Sequence, residues 1–214
     1  LWIAFPLLFL SFFYLFAFAS CATTAQNVIA LPNPNPLETS KMTLMQTLMQ
    51  RHSVRSYSDK NIDTQTLSTL LWAACGINRP AEKRITAPSA INGQDISVYV
   101  CRKEGAYRYI PLDNTLEKVS DEDLRTAVAG GQDFAQTAPI CLVLVSDVSK
   151  VRSHQSLSNM DAGSVSENIC LACTAMGLAT VPRATMDQDA LHQKLKLTET
   201  QIPILNNPIG WPKK

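Results

Sequence analysis

The chain has 214 residues, 46% of them hydrophobic, and its 19 basic and 18 acidic side chains leave a formal net charge of +1. That length accommodates one ordinary domain with a sizeable core. The near balance of charge excludes general nucleic-acid binding, which leaves a basic excess on one face, so any cluster of cations here is a local feature.

Residues 1–20, LWIAFPLLFLSFFYLFAFAS, carry no charge, and the first basic residue is Lys41. The segment reads as the apolar region of a signal peptide, and FASCA, with small Ala19 and Ser20 before Cys21, is similar to a bacterial lipoprotein cleavage site. This implies lipidation at Cys21, a membrane tether, and an exported location at the periplasmic or outer-membrane side of the cell envelope. The alternative is an uncleaved anchor, because about 19 apolar residues approach the length that spans a bilayer. Either reading places the domain outside the cytoplasm. Residues 21–40, with LPNPNP, read as a spacer, and 41–214 as the domain.

Residues around Thr43 to Gln50 predict a helix with Leu44, Met45, Leu48 and Met49 on its apolar side. Asp63 is the expected cap of a second helix, with Leu67, Leu70, Leu71 and Ala74 as its stripe and Gly76 at its stop. ISVYVC and ICLVLVS are β-branched runs that read as strands. GAYRYIPLDNTLEKV reads as a hairpin turning at Asp113-Asn114. In SDEDLRTAVAGG, Ser120 is the expected cap of a helix ended by the double glycine, with Asp121, Glu122 and Asp123 as first-turn charges. A long helix is expected from about Gly163 to Met176 with Asp161 as its cap, then a helix in DQDALHQKLKL and a terminal strand in IPILNNPIGWP.

Apart from Cys21, the five cysteines form an odd number in apolar contexts, unlike a disulfide framework. Cys170 and Cys173 match C-x-x-C, but within a helical pattern where Val165, Ile169, Ala172, Cys173 and Met176 recur. Redox pairs favour helix N-termini, and no second ligand pair completes a metal site, so buried core thiols are the reading. His154 and His192 read as solvent-facing, Trp72 as packing, and no G-x-S-x-G elbow accompanies Ser164 or Ser166.

RHSVR, from Arg51 to Arg55, groups two guanidinium groups, an imidazole and a hydroxyl. That set suits a phosphate monoester, since Arg pairs oxygens bidentately and Ser adds a short hydrogen bond. Taken alone, the stretch reads better as a solvated basic helix end beside a negative dipole.

RHSVR, then TAPSAINGQDISVYV, then ENICLACTAMGLATV and the closing PIGWPKK, in this order, resemble the nitroreductase family of FMN-dependent oxidoreductases. The Tyr-rich hairpin looks most like its SagB-type dehydrogenase branch. The resemblance implies an α+β fold, a mixed α/β sandwich with an antiparallel-rich sheet flanked by helices and FMN at a homodimer interface. It assigns Arg51, His52, Ser53 and Arg55 to the FMN phosphate and the pyrimidine side of the ring. Asn92 and Gln94 fall beside the isoalloxazine, Thr180 to Ala184 opposite flavin N5, and Lys213 near the phosphate. His52 stands where Arg is common, and Pro182 and Arg183 replace a Gly-containing loop. The implied activity is ping-pong hydride transfer between a donor such as NAD(P)H and a small nitro, quinone or enone acceptor, or dehydrogenation of a small substrate. A non-catalytic flavin-binding envelope lipoprotein is the alternative. Such sites bind nicotinamide without a dinucleotide fold, in keeping with the absence of G-x-G-x-x-G.

Overall fold

The computed structural model describes residues 27–39 and 42–213. The leader at 1–20 and Cys21 lie outside the described residues. Part of the stretch read as spacer is built into the fold. Strand β1 (Val28–Ala30) pairs with β6 (Thr115–Ser120), Leu31 is buried, and Pro32 accepts hydrogen bonds from Ser68 Oγ at 2.5 Å and Asn114 Nδ2 at 2.9 Å. Helix α1 (Pro36–Thr39) follows.

A seven-stranded sheet has the order β1-β6-β5-β4-β7-β9-β8, every neighbouring pair antiparallel. Its other members are β4 (Ile96–Arg102), β5 (Gly105–Ile110), β7 (Ile140–Asp147), β8 (Ala179–Thr180) and β9 (Gln201–Gly210). A separate pair, β2 (Ile77–Arg79) and β3 (Arg84–Ile85), forms a small hairpin.

Helices cover both faces of the sheet. Val98 and Val100 of β4 and Leu142 and Leu144 of β7 pack with α3 (Thr64–Cys75) and α6 (Gln155–Ala175). The alternate residues Tyr99, Cys101, Cys141, Val143 and Val145 pack instead with Val128 of α4 (Arg125–Ala129) and Leu191 of α7 (Gln188–Lys194). Burial on both sides is why ICLVLV is a continuous apolar run, although alternation is the rule for half-exposed antiparallel strands. A four-residue helix, α5 (Asp133–Gln136), completes the set.

Local chemistry sets the helix ends. Thr43 closes a capping box with Gln46 on α2 (Leu44–Gln50), and Asp63 Oδ1 accepts from Thr66 N at 2.8 Å at the start of α3. Three expectations are corrected. Ser120 ends β6 rather than capping a helix; α4 begins at Arg125, and the three acids pair instead with Lys118, Lys194 and Arg125. Helix α6 begins at Gln155, so Asp161 is inside it and buried. The apolar residues of α2 face outward: Leu44 is 64%, Met45 67% and Met49 84% exposed, while Thr47 is the side chain that is buried.

Candidate functional site

Helix α2 delivers Arg51 as its C-cap, where the backbone turns extended and the Arg51 amide still bonds to Thr47 O. The chain then runs along the edge of the sheet. Val54 N donates to Thr180 O at 2.9 Å, Tyr57 bridges Pro212, and Lys213 N donates to Ser56 O at 3.2 Å. These bonds bring Arg51, His52, Ser53 and Arg55 beside Thr180 and Lys213. Arg51 is half-buried and the other four predicted polar residues of this group are exposed. His52 Nδ1 lies 2.8 Å from Gln50 O, and the Arg55 guanidinium is 6.0 Å from the Phe134 ring.

Among the described residues, no acid lies within ion-pair distance of Arg51, Arg55 or Lys213, whereas Arg84, Arg102, Arg108, Lys118, Arg125 and Lys194 each pair with a carboxylate. Arg51, Arg55 and Lys213 are thus three cations without an acid partner brought to one place, and a hydroxyl stands among them. That donor set suits a phosphate.

A buried polar layer lies under this cluster. Asn207 Oδ1 accepts from Ser166 Oγ at 2.9 Å, and Asn207 Nδ2 reaches Thr180 Oγ1 at 3.5 Å and Cys170 Sγ at 3.8 Å. Cys170 is a core thiol, its pKa pushed up to about 11, mainly by burial and against the pull of Arg51. Arg183 is also buried. Its guanidinium donates to Val128 O (3.2 Å), Ala129 O (2.6 Å), Asn206 Oδ1 (2.8 Å) and Gln132 Oε1 (3.0 Å), and lies 5.4 Å from the Phe134 ring. It therefore turns inward to the carbonyl end of α4, leaving Pro182 and Ala184 as the exposed residues of the Thr180 to Ala184 loop. The sequence reading passed over Asn206 and Asn207. The available signal was two adjacent amides inside an otherwise apolar strand.

Asn92 and Gln94 occupy a different place. They lie in the Ser89–Gln94 turn, in which Ile91 (φ 48°), Asn92 (57°) and Gln94 (45°) are all left-handed without being glycine. Asn92 Oδ1 accepts from Arg84 Nη1 at 3.3 Å, and Gln94 Nε2 donates to Lys83 O at 3.2 Å. Gln94 lines a cleft of about 370 Å³ with Lys83, Lys150, Ile96 and Tyr109, and none of Arg51, His52, Ser53 or Arg55 reaches it. Both groups rest on α6, the turn near Asp161 and Arg51 near Cys170. At 1.5 Å per residue these points are about 13 Å apart along the helix. Within one chain the two groups of predicted site residues are thus separate.

His154 is exposed, as expected, and half-buried His192 lies 3.0 Å from Thr198 O. Trp72 Nε1 donates to Ile77 O at 3.0 Å, a packing role. The described residues contain no cluster of three or more metal-ligating side chains. None of their helices is long and apolar enough to cross a membrane.

The model of the nitroreductase family matches residues 48–211 of the chain. A crystal structure described as a "putative nitroreductase" from Ralstonia eutropha JMP134 superposes with a TM-score of 0.81 at 36% identity, covering 89% of this chain and 92% of that one. A "putative nitroreductase" of Methanocaldococcus jannaschii is 29% identical over 177 residues, 76% of this chain and 88% of that protein. The FMN reductase [NAD(P)H] of Bacillus subtilis strain 168 is 24% identical over 188 residues, 79% of this chain and 66% of that protein.

Proposed function

Since the chain belongs to the nitroreductase family and is an oxidoreductase of that flavin-using class, we propose that it binds FMN between two copies of itself. On this reading Arg51, Ser53, Arg55 and Lys213 of one copy hold the phosphate, and Asn92 and Gln94 of the other lie against the ring. Bound FMN supplies the redox chemistry, taking a hydride from a donor such as NAD(P)H and passing it to a small nitro, quinone or enone acceptor in alternate half-reactions. The chain's own residues bind and orient. No acid, base or nucleophile of the chain is required.

The observation that carries this reading is the gathering of unpaired cations and a hydroxyl at Arg51 to Arg55, joined through backbone bonds to Thr180 and Lys213. Two copies are needed because the second half-site is displaced along α6. Both half-sites also border an outward-facing apolar surface: Leu44, Met45 and Met49 beside Arg51, Ile91 beside Asn92, and Met160 on α6, 59% to 84% exposed. An exposed apolar surface of this kind marks an association site. Two-fold pairing of α6 against its copy sets the Arg51 end of one helix opposite the Asn92 end of the other.

Purified protein is expected to be yellow, with about one flavin per chain, and to bleach anaerobically with NADH or NADPH. Colourless protein that takes up no added FMN overturns the proposal. Yellow protein that neither nicotinamide reduces retains binding and removes this donor chemistry.

Gly163 tests the pairing. It is exposed on α6, and no atom lies within 4 Å of where its Cβ would be. In one chain alone, Gly163→Leu should stabilise the helix by roughly 0.5 to 1 kcal/mol. In a dimer packed through α6 the added side chain collides, so sizing chromatography should show monomer and a loss of bound flavin. An unchanged dimer would exclude this face.

A further inference from the structure

We propose that Asp95 and Asp161 share one proton and thereby act as positioning residues for the Ser89–Gln94 turn, the half-site assigned to the flavin ring. The inference rests on that assignment and deepens it.

The geometry starts at a backbone amide. Ala90 N donates to both oxygens of Asp161, at 3.0 and 2.8 Å, across 71 residues of sequence. This bond holds down a turn that has three left-handed non-glycine residues, one of them β-branched Ile91, a conformation that persists only when its surroundings enforce it. Ser89 Oγ accepts from Gln94 N at 2.8 Å and ties the other end of the turn. Asp95, which follows Gln94 of the turn and immediately precedes β4, is wholly buried. Its Oδ2 accepts from Ser146 Oγ at 2.5 Å, Ser158 Oγ lies 2.9 Å from that hydroxyl, and Asp95 Oδ1 is buried with no partner.

The charged groups on the surrounding elements turn elsewhere. Asp147 engages Ser149, Lys150 reaches the Gln94 carbonyl, Arg84 engages Asn92 and Glu82, and Arg152, His154 and Glu167 are exposed. Among the described residues no cation pairs with either carboxyl. The chain from Asp95 through Ser146 to Ser158 ends one turn of α6 before Asp161, so two buried carboxyls lie at one place without a counter-charge and cannot both ionise cheaply; one shared proton removes the repulsion and gives an orphaned oxygen a donor. Consistent with this, burial first and the Asp95 contact second push the Asp161 pKa up to about 6.

The sign follows from linkage. A carboxyl that holds its proton more tightly folded than unfolded favours the fold most at low pH. Its contribution is complete below the ordinary value of 3.8 and is lost as pH rises past about 6. Above that, two like charges push α6 and β4 apart beneath the turn.

The test compares wild type with Asp161→Asn, whose amide can still accept from Ala90 N and donates permanently to Asp95. Thermal melts without flavin from pH 4 to 8 should show wild-type stability falling through the window, and the variant should lack that slope. FMN affinity, followed by flavin fluorescence, should decline in wild type relative to the variant by about tenfold between pH 5 and 8. The titration of the FMN phosphate itself is common to both proteins and cancels in the ratio. Parallel melting profiles overturn the shared proton. A lost slope with a constant affinity ratio overturns the link to the turn. If neither protein binds FMN at any pH, the flavin assignment fails while the melts still judge the acid pair. Asp95→Asn provides the same comparison should Asp161→Asn not fold.

Discussion

Arg183→Ala is expected to destabilise the protein by about 3 to 5 kcal/mol and to lower its Tm by roughly 10 °C. The guanidinium is buried with no acid beside it, and burial lowers its pKa. What compensates it is a ring of neutral acceptors: the Val128 and Ala129 carbonyls, which α4 leaves free at its C-terminus, and the side-chain oxygens of Asn206 and Gln132. Truncation strands those acceptors, two on α4, one on β9 and one at Gln132, and leaves a cavity against Phe134. Arg183→Lys should recover little, because a single ammonium cannot span four acceptors fixed around a planar fork. Differential scanning calorimetry decides the matter, and a loss below 1 kcal/mol would mean that the bonds contribute little. The same guanidinium also ties the loop after Thr180 to Asn206 Oδ1, beside the paired backbone bonds of the two residues, so weaker flavin retention should accompany the lower Tm.

Arg55→Ala should raise the dissociation constant for FMN by about 10- to 100-fold, while Arg102→Ala changes it by less than about twofold. A charge-assisted hydrogen bond to phosphate contributes roughly 1.5 to 3 kcal/mol, and each 1.4 kcal/mol is a factor of ten. The two arginines make a fair comparison because both lie near an aromatic ring. Arg55 is 6.0 Å from Phe134 and is bound to no acid, whereas Arg102 is 4.5 Å from Tyr107 and pairs with Glu104 at 3.5 Å. Fluorescence titration of flavin into the stripped protein measures both constants. Equal affinities for the two variants would remove Arg55 from the phosphate site and weaken the case for the whole RHSVR cluster.

Where the sequence was legible, local physics decided the structure. Asp63 caps α3 through Thr66 N, the Leu67, Leu70, Leu71 and Ala74 stripe is buried, and Asn114 takes the left-handed position of its hairpin turn. Where it was not, a tertiary contact had overruled the local preference. The first turns of α6 contain Ser156, Ser158, Asn159, Asp161 and Gly163, poor helix formers that mimic a loop. They are helical because Ser158 and Asp161 find partners on β7 and in the turn at Ala90. Helix α2 has the apolar side that the pattern predicts, but a single chain does not cover it, and pattern alone does not say what would. For the site, residue type and order were enough to nominate Arg51 to Arg55 and Asn92. The supporting layer of Asn206, Asn207, Arg183 and Asp95 was not visible, since each is defined by partners that only the folded chain brings near.

The five cysteines of the domain have a consequence for the compartment in which the protein works. Each is buried and unpaired, and burial holds the thiols of Cys75 and Cys141 at about 12, with those of Cys101 and Cys173 also raised. Exchange with an external disulfide requires an exposed thiolate, and the native state offers almost none. Once folded, the domain is indifferent to whether its surroundings are oxidising or reducing. Its vulnerable moment is the interval before the sheet closes over Cys101 and Cys141, which face each other across β4 and β7.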